Sequence, residues 1–199
     1  MENPDGSTNS IYAVEVYAVE VGGIVDGHLC GIGKRIYEVD DGRMEQGEFV
    51  NGYLHGSGKR TYYGIKEEGQ YVGGRFVKGT ITFPDKRVLR GDFVDGYLHG
   101  QGKRIFDDGH KEEGEFVNGE LVKGTVTFVD GHMEEGERVN CRLHGQGKRI
   151  FDDGHKEEGD FVHGELDQRN AKVTSPGGNV HDGNFVNGIL CLQRNGDLC

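Results

Sequence analysis

The chain carries a short motif, Gly-x-aromatic-Val-x-Gly, that returns about every 22 residues. Clear copies begin at Gly47, Gly69, Gly91, Gly114, Gly159 and Gly183, and weaker copies begin at Gly22 and Gly136. The eight starts are 25, 22, 22, 23, 22, 23 and 24 residues apart. A fixed period of this length indicates a repeat architecture, in which each unit is one supersecondary element stacked on the next.

A second motif alternates with the first and doubles the period. LHGxGKR occurs at residues 54–60, 98–104 and 143–149, with the variant LCGIGKR at 29–35. Between these segments lie FVKGTITF at 76–83 and LVKGTVTF at 121–128. The larger unit is therefore two repeats long.

The high glycine content of the sequence argues against a compact globular domain. It supplies 36 of the 199 residues, only 34% of the residues are hydrophobic, and there is no tryptophan. Glycine adds no side chain to a core, and with 3 prolines and no Gly-x-y period the chain is not collagen. The regular placement of 18 aromatic residues disfavours simple disorder.

Each repeat is predicted to form two short strands. Thr80-Ile81-Thr82-Phe83 alternates with period two and is rich in β-branched residues. Asp107-Asp108-Gly109 resembles a three-residue hairpin loop, which ends on a residue in the left-handed region. The predicted fold is all-β: an elongated, single, twisted antiparallel sheet of consecutive β-hairpins, with about eight repeats of 22–25 residues. At ~4.8 Å per strand, this sheet would be roughly 75 Å long.

The loop length also predicts the pairing between strands. With Phe106 opposite His110, Arg104 falls opposite Glu112, and Gly102 falls opposite Gly114. The same counting predicts four structural ion pairs, which are Arg35–Glu45, Arg60–Glu67, Arg104–Glu112 and Arg149–Glu157. In the alternate units an apolar pair, Ile81 and Leu89, takes this place, whereas Val126 breaks the rule because it faces Glu134.

The motifs GEFVNG…LHGSGKR, GDFVDGYLHGQGKRIFDDG and GEFVNGELVKGTVTFVDG resemble the membrane occupation and recognition nexus (MORN) repeat family. The resemblance covers about residues 22–197 and implies a rod-like antiparallel sheet used for scaffolding, dimerisation or tethering. The family is also associated with phosphoinositide or membrane binding. Here Glu mostly replaces the family's tyrosine before the Gly-acid-aromatic motif, and Arg replaces a strand aromatic, so the aromatic face is more ionic than in the family pattern.

The expected organisation has a capped array of repeats. Residues 1–21, which contain YAVEV twice in succession, are expected to form an N-terminal capping strand or tail. Residues 22–199 are expected to form the array, with a degenerate unit near 159–182 and a C-terminal cap at 183–199.

Two ladders of aromatic residues either pack within the sheet or form a groove for a partner helix or peptide. They are the candidate partner-binding surface, because a one-layer sheet is expected to leave its apolar face uncovered. The first ladder comprises Phe49, Tyr71, Phe93, Phe116, Phe161 and Phe185, and Arg138 interrupts it. The second comprises Tyr37, Tyr62, Phe83, Phe106, Phe128 and Phe151. On the opposite face, the lysines of the GKR segments, Lys34, Lys59, Lys103 and Lys148, are candidate contacts for anionic lipid headgroups.

No motif predicts catalysis, a cofactor or a metal site. LHGxGK lacks the spacing of a phosphate-binding loop and is interpreted as a tight connection between strands. His55, His99 and His144 are two repeats apart, about 19 Å, so they cannot share one ion and are interpreted as turn-shaping residues. The net charge of −11 disfavours nucleic-acid binding, and no small-molecule substrate is expected. Four cysteines without a CxxC motif, no apolar membrane span and no signal peptide favour a cytoplasmic protein.

Three hypotheses follow for function. The first is a non-enzymatic scaffold or adaptor that binds a protein partner, or a second copy of itself, through the aromatic face. The second is a peripheral membrane adaptor that binds phosphoinositides or anionic lipids through the GKR lysines. The third is a regulatory module for a separate kinase or methyltransferase. The expected location is cytoplasmic, at the periphery of a membrane or the cytoskeleton.

Overall fold

The fold was analysed in a computed structural model, which describes residues 18–38, 40–169, 171–186 and 189–191. This part of the chain forms 17 β-strands and contains no helix. The strands are β1 (Ala18–Val25), β2 (His28–Tyr37), β3 (Met44–Val50), β4 (Tyr53–Tyr62), β5 (Ile65–Val72), β6 (Arg75–Thr82), β7 (Val88–Val94), β8 (Tyr97–Ile105), β9 (Lys111–Val117), β10 (Glu120–Thr127), β11 (Met133–Val139), β12 (Arg142–Ile150), β13 (Lys156–Val162), β14 (Glu165–Leu166), β15 (Ala171–Thr174), β16 (Val180–Val186) and β17 (Ile189–Cys191).

Each strand pairs antiparallel with the next strand along the chain. The exception is the pair β14 and β15, which both lie against β13 and act as two pieces of one interrupted strand. The result is one open antiparallel sheet, which confirms the predicted all-β fold of consecutive hairpins.

Two kinds of turn alternate along the chain and define the two long edges of the sheet. At one edge, two-residue turns such as Asn51-Gly52 have positive φ at both residues, 49° and 78°. This geometry is typical of a type I′ hairpin turn, and it explains the Asn-Gly and Asp-Gly pairs that end the repeat motif. At the other edge lie three-residue loops such as Asp107-Asp108-Gly109. The Phe106 N–H donates to the His110 carbonyl over 2.9 Å, and Gly109 has φ 95°. These loops were predicted from the sequence.

The LHGxGKR segments lie inside strands, so their interpretation as tight connections is wrong. The segment at 54–60 falls within β4. Gly47 pairs with Gly58 and Phe49 pairs with Leu54, so three residues of β4 oppose one residue of β3. Gly56, with φ 80°, allows this bulge. Histidines 55, 99 and 144 therefore lie at bulges within strands and not in turns.

The bulges fold one edge of the sheet over its inner face. In the type I′ turns, Gly74 N–H donates to Leu54 O over 2.8 Å, and Gly119 N–H donates to Leu98 O over 2.9 Å. Equivalent bonds join Gly52 to Leu29 and Gly164 to Leu143. Each bond connects a turn to the strand that lies beyond its own hairpin, so the edge curls inward and encloses a core.

This curl buries the first aromatic ladder, contrary to the expectation that a single layer cannot cover its apolar face. Phe49, Tyr71, Phe93, Phe116 and Phe161 are at most 4% exposed. Each lies opposite an apolar residue on the next strand, namely Leu54, Phe76, Leu98, Leu121 or Leu166. Full burial of one such side chain contributes about 2–3 kcal/mol, so this row is the main source of stability. The side chain of Phe185 lies outside the described part of the structure.

The ends of the array differ from its middle. β1 runs through the expected boundary at residues 21–22, while residues 1–17 lie outside the described part. The unit that was expected to be degenerate contains the interrupted strand β14–β15 and the turn at Ser175, whose N–H donates to Asn179 O over 2.8 Å. Of the expected C-terminal cap at 183–199, residues 183–186 of β16 and all of β17 are described, and residues 187–188 and 192–199 are not.

Candidate functional site

The predicted arginine and glutamate partners lie opposite each other on the inner face. Their ion pairs are Arg35–Glu45 at 3.2 Å, Arg60–Glu67 at 3.5 Å, Arg104–Glu112 at 3.4 Å and Arg149–Glu157 at 3.1 Å. Three of these arginines also reach back to the preceding strand, and Arg35 Nε lies 2.6 Å from Glu20. Arg60 Nε lies 2.9 Å from Glu45, and Arg149 Nη2 lies 2.8 Å from Glu134. The pairs therefore form three separate ionic segments, which run from Glu20 to Glu67, from Arg104 to Glu112 and from Glu134 to Glu157, and the apolar residues Ile81, Leu89 and Val126 lie between the segments.

Each of these arginines also covers the buried aromatic core. The guanidinium carbon of Arg60 lies 5.1 Å from the centre of the Tyr71 ring, and that of Arg149 lies 5.2 Å from the Phe161 ring. Arg60 Nη2 donates to Gly74 O over 2.7 Å, and Arg104 donates in the same way to Gly119 O. The arginines thus cover the first ladder. Hydrogen bonds to carbonyl oxygens of the next type I′ turn hold the guanidinium groups of Arg60 and Arg104 in place.

Two tyrosines donate hydrogen bonds to the buried carboxylate of Glu67. Tyr62 donates to Oε1 over 2.9 Å, and Tyr71 donates to Oε2 over 3.2 Å. Burial, followed by the hydrogen bond to Glu67, raises the pKa of Tyr62 to about 12. Burial and the charge of Glu67 also raise the pKa of Tyr71. Both hydroxyls therefore remain donors at neutral pH.

The second ladder remains half-buried at the open side of the inner face, and histidines that the sequence analysis missed complete it. The rings stack in the order Phe106, His110, Phe128, His132, Phe151 and His155. Successive ring centres are 4.6, 5.1, 3.8, 6.3 and 5.0 Å apart. The sequence signal was the histidine directly after each three-residue loop, opposite the ladder phenylalanine. We call this row of six rings the Phe–His stack.

Arg138 fills the gap in the first ladder. Its guanidinium lies 3.0 Å from Glu134 and donates to Cys141 O over 2.6 Å. Glu134 faces the buried Val126 and is neutralised from the other side by Arg138 and Arg149. This arrangement explains why the Arg–Glu rule fails at Val126.

Three cavities open on the inner face beneath the type I′ turns. Their volumes are about 490, 300 and 340 Å³. Arg60 and Phe93 line the first, Arg104 and Phe106 the second, and His110 and Phe128 the third. In the third, His110 Nε2 and Glu112 Oε2 are buried and have no hydrogen-bond partner. The cavities and the Phe–His stack together form what we call the inner groove.

The GKR lysines lie on the outer face, where three of the four meet glutamates. Lys59 lies 2.8 Å from Glu68, Lys103 lies 2.8 Å from Glu113, and Lys148 lies 3.4 Å from Glu158. Hydrogen bonds from Lys172 and Lys148 lower the pKa of Glu158. Lys34 lies opposite Gln46, with no acidic partner in the described part of the chain. The outer face is therefore mixed in charge and is not a basic row.

The described residues contain neither a metal site nor a membrane-spanning helix. No group of three or more His, Cys, Asp or Glu side chains there could hold a metal ion. No helix in that part of the chain is long and apolar enough to cross a membrane. Cys30 and Cys141 are free thiols.

The geometry defines a repeat protein whose unit is a β-hairpin with a type I′ turn, stacked into one curled sheet. The MORN repeat family model matches residues 46–64, 68–86, 90–111, 113–133 and 142–156, and the chain belongs to the MORN repeat proteins. No curated protein matched the chain. MORN repeats are generally non-enzymatic modules that bind proteins or membranes.

Proposed function

We propose that the protein is a non-enzymatic scaffold that binds a segment of a protein partner in the inner groove. The observation that carries this proposal is the Phe–His stack, a row of six half-buried rings, three of which line two of the three cavities. Aromatic rings with a polar edge give large contact area at low entropic cost, and they are enriched at protein interfaces. Because the first ladder is buried, it stabilises the groove and does not contact the partner.

The spacing of the groove matches a helical partner. Adjacent hairpins are two strands apart, about 9.6 Å. Seven residues of an α-helix rise about 10.5 Å. In a helix laid along the rod, side chains one heptad apart would enter the first and second cavities, which are one hairpin apart, and a side chain two heptads further on would enter the third, which lies two hairpins beyond the second. Half-buried arginines and glutamates alternate beside the cavities. The arginines would bind acidic side chains of the partner, and the glutamates would bind basic ones.

The charge pattern of the outer face disfavours the lipid hypothesis. A headgroup site needs lysines free to approach a negative surface, and Lys59, Lys103 and Lys148 lie within 3.4 Å of glutamates. The proposal places the protein in the cytoplasm, where its partner would hold it at a membrane or the cytoskeleton. A kinase or methyltransferase subunit would be one kind of partner.

The test is site-specific photo-crosslinking of the full chain in cells. A photoreactive phenylalanine at position 128 lies in the groove, and the same residue at Ser57 on the outer face is the matched control. We expect a discrete adduct from position 128 only, identified by mass spectrometry and lost when Phe106→Lys is added. Equal adducts from both positions, or none from position 128, would overturn the proposal.

Vesicle flotation separates the lipid hypothesis from the scaffold. We expect no difference between phosphatidylcholine vesicles and vesicles that contain phosphatidylserine and a phosphoinositide. Salt-sensitive flotation that is lost in the triple variant Lys59→Glu, Lys103→Glu, Lys148→Glu would instead support a membrane adaptor.

A further inference from the structure

Glu67 and Glu112 occupy equivalent positions two repeats apart, and each lies opposite one arginine. The nearest arginine nitrogen is 3.5 Å from the carboxylate in the pair Arg60–Glu67 and 3.4 Å in the pair Arg104–Glu112. In both units the arginine also donates to a carbonyl of the next type I′ turn. The two glutamates are thus matched in their contacts with the facing arginine.

The two units differ in the hydrogen-bond donors that reach the carboxylate. In the earlier unit, the hydroxyls of Tyr62 and Tyr71 donate to the glutamate over 2.9 and 3.2 Å. Phe106 and Phe116 stand at these positions in the later unit, and a phenylalanine ring has no hydroxyl. As a result, Glu112 Oε2 is buried without a hydrogen-bond partner among the described residues. An unsatisfied buried acceptor costs free energy, which a suitable donor would recover.

A second atom of the same kind lies close by in the third cavity. His110 is two residues before Glu112, so both side chains lie on the inner face, and His110 Nε2 is also buried without a described partner. Both residues line the cavity of about 340 Å³, together with Val126, which pairs with Glu112 and offers no polar group. The Glu112 side chain is 16% exposed, so its carboxylate is not sealed from solvent.

The charges around this cavity favour a neutral ligand. Its charged lining residues are Glu112, Glu134, Arg138 and Arg142. Glu134 accepts a hydrogen bond from Arg138 over 3.0 Å and lies 2.8 Å from Arg149. Arg142 has no ion pair or hydrogen bond within the described part of the chain. A cation in the cavity would meet the unpaired Arg142, and an anion would meet the unsatisfied Glu112, so like charges oppose both.

We propose that the third cavity binds the side-chain amide of an asparagine or glutamine of the partner. The proposal rests on the proposed function, because a partner in the inner groove supplies the amide. An amide NH₂ group has two donors, one for Glu112 Oε2 and one for His110 Nε2, and its carbonyl accepts from Arg142. Where Nε2 carries the ring proton of His110, the amide carbonyl accepts from Nε2 instead, so the amide suits either tautomer.

Other polar groups suit the cavity less well. A hydroxyl group has one hydrogen to donate, and an ammonium or guanidinium group adds a charge beside Arg142. In a helix laid along the rod, the amide would lie two heptads from the side chain that enters the second cavity. The partner is therefore expected to carry asparagine or glutamine at that position of its heptad pattern.

Fragment titration of the full chain, followed by NMR, tests the proposal. The probes are propionamide, 1-propanol, propylammonium and propionate, which carry four different polar groups on short apolar chains. Propionamide should bind with a dissociation constant in the millimolar range, as its small size allows. It should bind at least about fivefold more tightly than each of the other probes. Signals of His110, Glu112 and Val126 should shift, whereas those of Glu67, which has its tyrosine donors, should not.

A matched pair of variants checks that the missing donor creates the site. Phe106→Tyr supplies a hydroxyl to Glu112 from within the chain, as Tyr62 does two repeats earlier. It should weaken propionamide binding at least about tenfold and raise the melting temperature. Val117→Thr adds a hydroxyl to the same strand at an exposed position on the outer face and should change neither quantity. Circular dichroism of each variant shows that the fold is kept.

Three results would each overturn the proposal. They are the lack of a saturable response to propionamide, tighter binding of another probe, and propionamide binding that Phe106→Tyr leaves intact. Crosslinking from position 128 tests the proposed function separately. An adduct without a response to propionamide would mean that the partner binds through other groups. A response without an adduct would leave the amide site in place and overturn the proposed function.

Discussion

A single arginine in each LHGxGKR segment performs three tasks that are usually divided among several residues. Arg149 pairs with Glu134 and Glu157, lies over the Phe161 ring, and donates to Gly164 O over 2.6 Å. The pairing with Glu157 could be predicted by counting outward from a three-residue loop. The bond to Gly164 could not be predicted, because it depends on how far the sheet curls.

The first prediction concerns the Arg104–Glu112 pair. Arg104→Glu should lower the free energy of unfolding by about 2 kcal/mol, because it leaves two carboxylates together in a half-buried site. Adding Glu112→Arg should recover only part of this loss, since a new arginine at 112 cannot replace the bond to Gly119 O. Urea unfolding of the two single variants and the double variant measures the coupling. Additive losses would mean that the two side chains do not interact.

The second prediction concerns Tyr62 at alkaline pH. Its pKa of about 12 in the folded chain exceeds the ordinary value of ~10 that holds in the unfolded chain. The folded chain therefore keeps a proton that the unfolded chain loses, so stability that is present below pH 10 falls as the pH rises towards 12. Tyr62→Phe should flatten this part of the stability curve, whereas Tyr63→Phe, at an exposed neighbour, should leave it unchanged. An absorbance titration of tyrosinate checks the same proton directly.

The residues that sequence analysis missed share one physical cause. His110, His132 and His155 were overlooked because each stands alone in the sequence, and only strand pairing stacks it on phenylalanines from two hairpins. Val117 and Val139 were treated as part of the motif, although strand alternation alone places them on the face opposite the ladder.

At the scale of the hairpin, paired glycines permit a close approach between strands. A Cβ atom on Gly114 would lie 2.2 Å from Lys123 O and 2.6 Å from the Cα of Gly124. These are backbone atoms, which cannot move aside. Gly114 thus pairs with Gly102 on one side, as predicted, and on the other side it approaches Gly124 too closely for a side chain.

The third prediction follows from this contact. Gly114→Ala should destabilise the chain by about 3 kcal/mol, because overpacking adds to the strain of a non-glycine residue in this conformation. Gly96→Asn, in a type I′ turn with no atom within 4 Å of the added Cβ, should cost less than about 1 kcal/mol. Thermal and urea unfolding compare the two, and equal losses would show that strand approach is not the constraint.

The hairpins themselves were largely predictable, and their curvature was not. Alternating residues and Asp-Asp-Gly loops specify strands and register, as the pairing of Arg104 with Glu112 illustrates. At the bulge around Gly56, β4 has more residues than β3 between two paired positions. This excess can be recognised only when the two strands are aligned with each other. For that reason the sequence did not separate the two ladders, of which the first is buried and the second is only half-buried.

At the scale of the whole molecule, stacking of hairpins predicts an extended particle. A compact domain of this length would have a radius of gyration of about 16 Å. A rod of roughly 75 Å would have one of about 22 Å or more. Small-angle scattering from the full chain, with its mass measured in parallel, separates the shape of one chain from that of an oligomer. A value near 16 Å would contradict the extended sheet.

The bonds from arginine to the next turn have a consequence for how the rod comes apart. Arg60, Arg104 and Arg149 each stand in one hairpin and hold the turn of the following hairpin, so neighbouring units cannot open independently. In a linear array the strength of such couplings, more than the stability of any unit, decides how many repeats melt together. The last of these bonds within the described residues reaches Gly164, just before the strand interrupted at β14 and β15. Two hairpins joined by such a bond should therefore exchange their amide hydrogens together, and exchange should be fastest beyond Gly164.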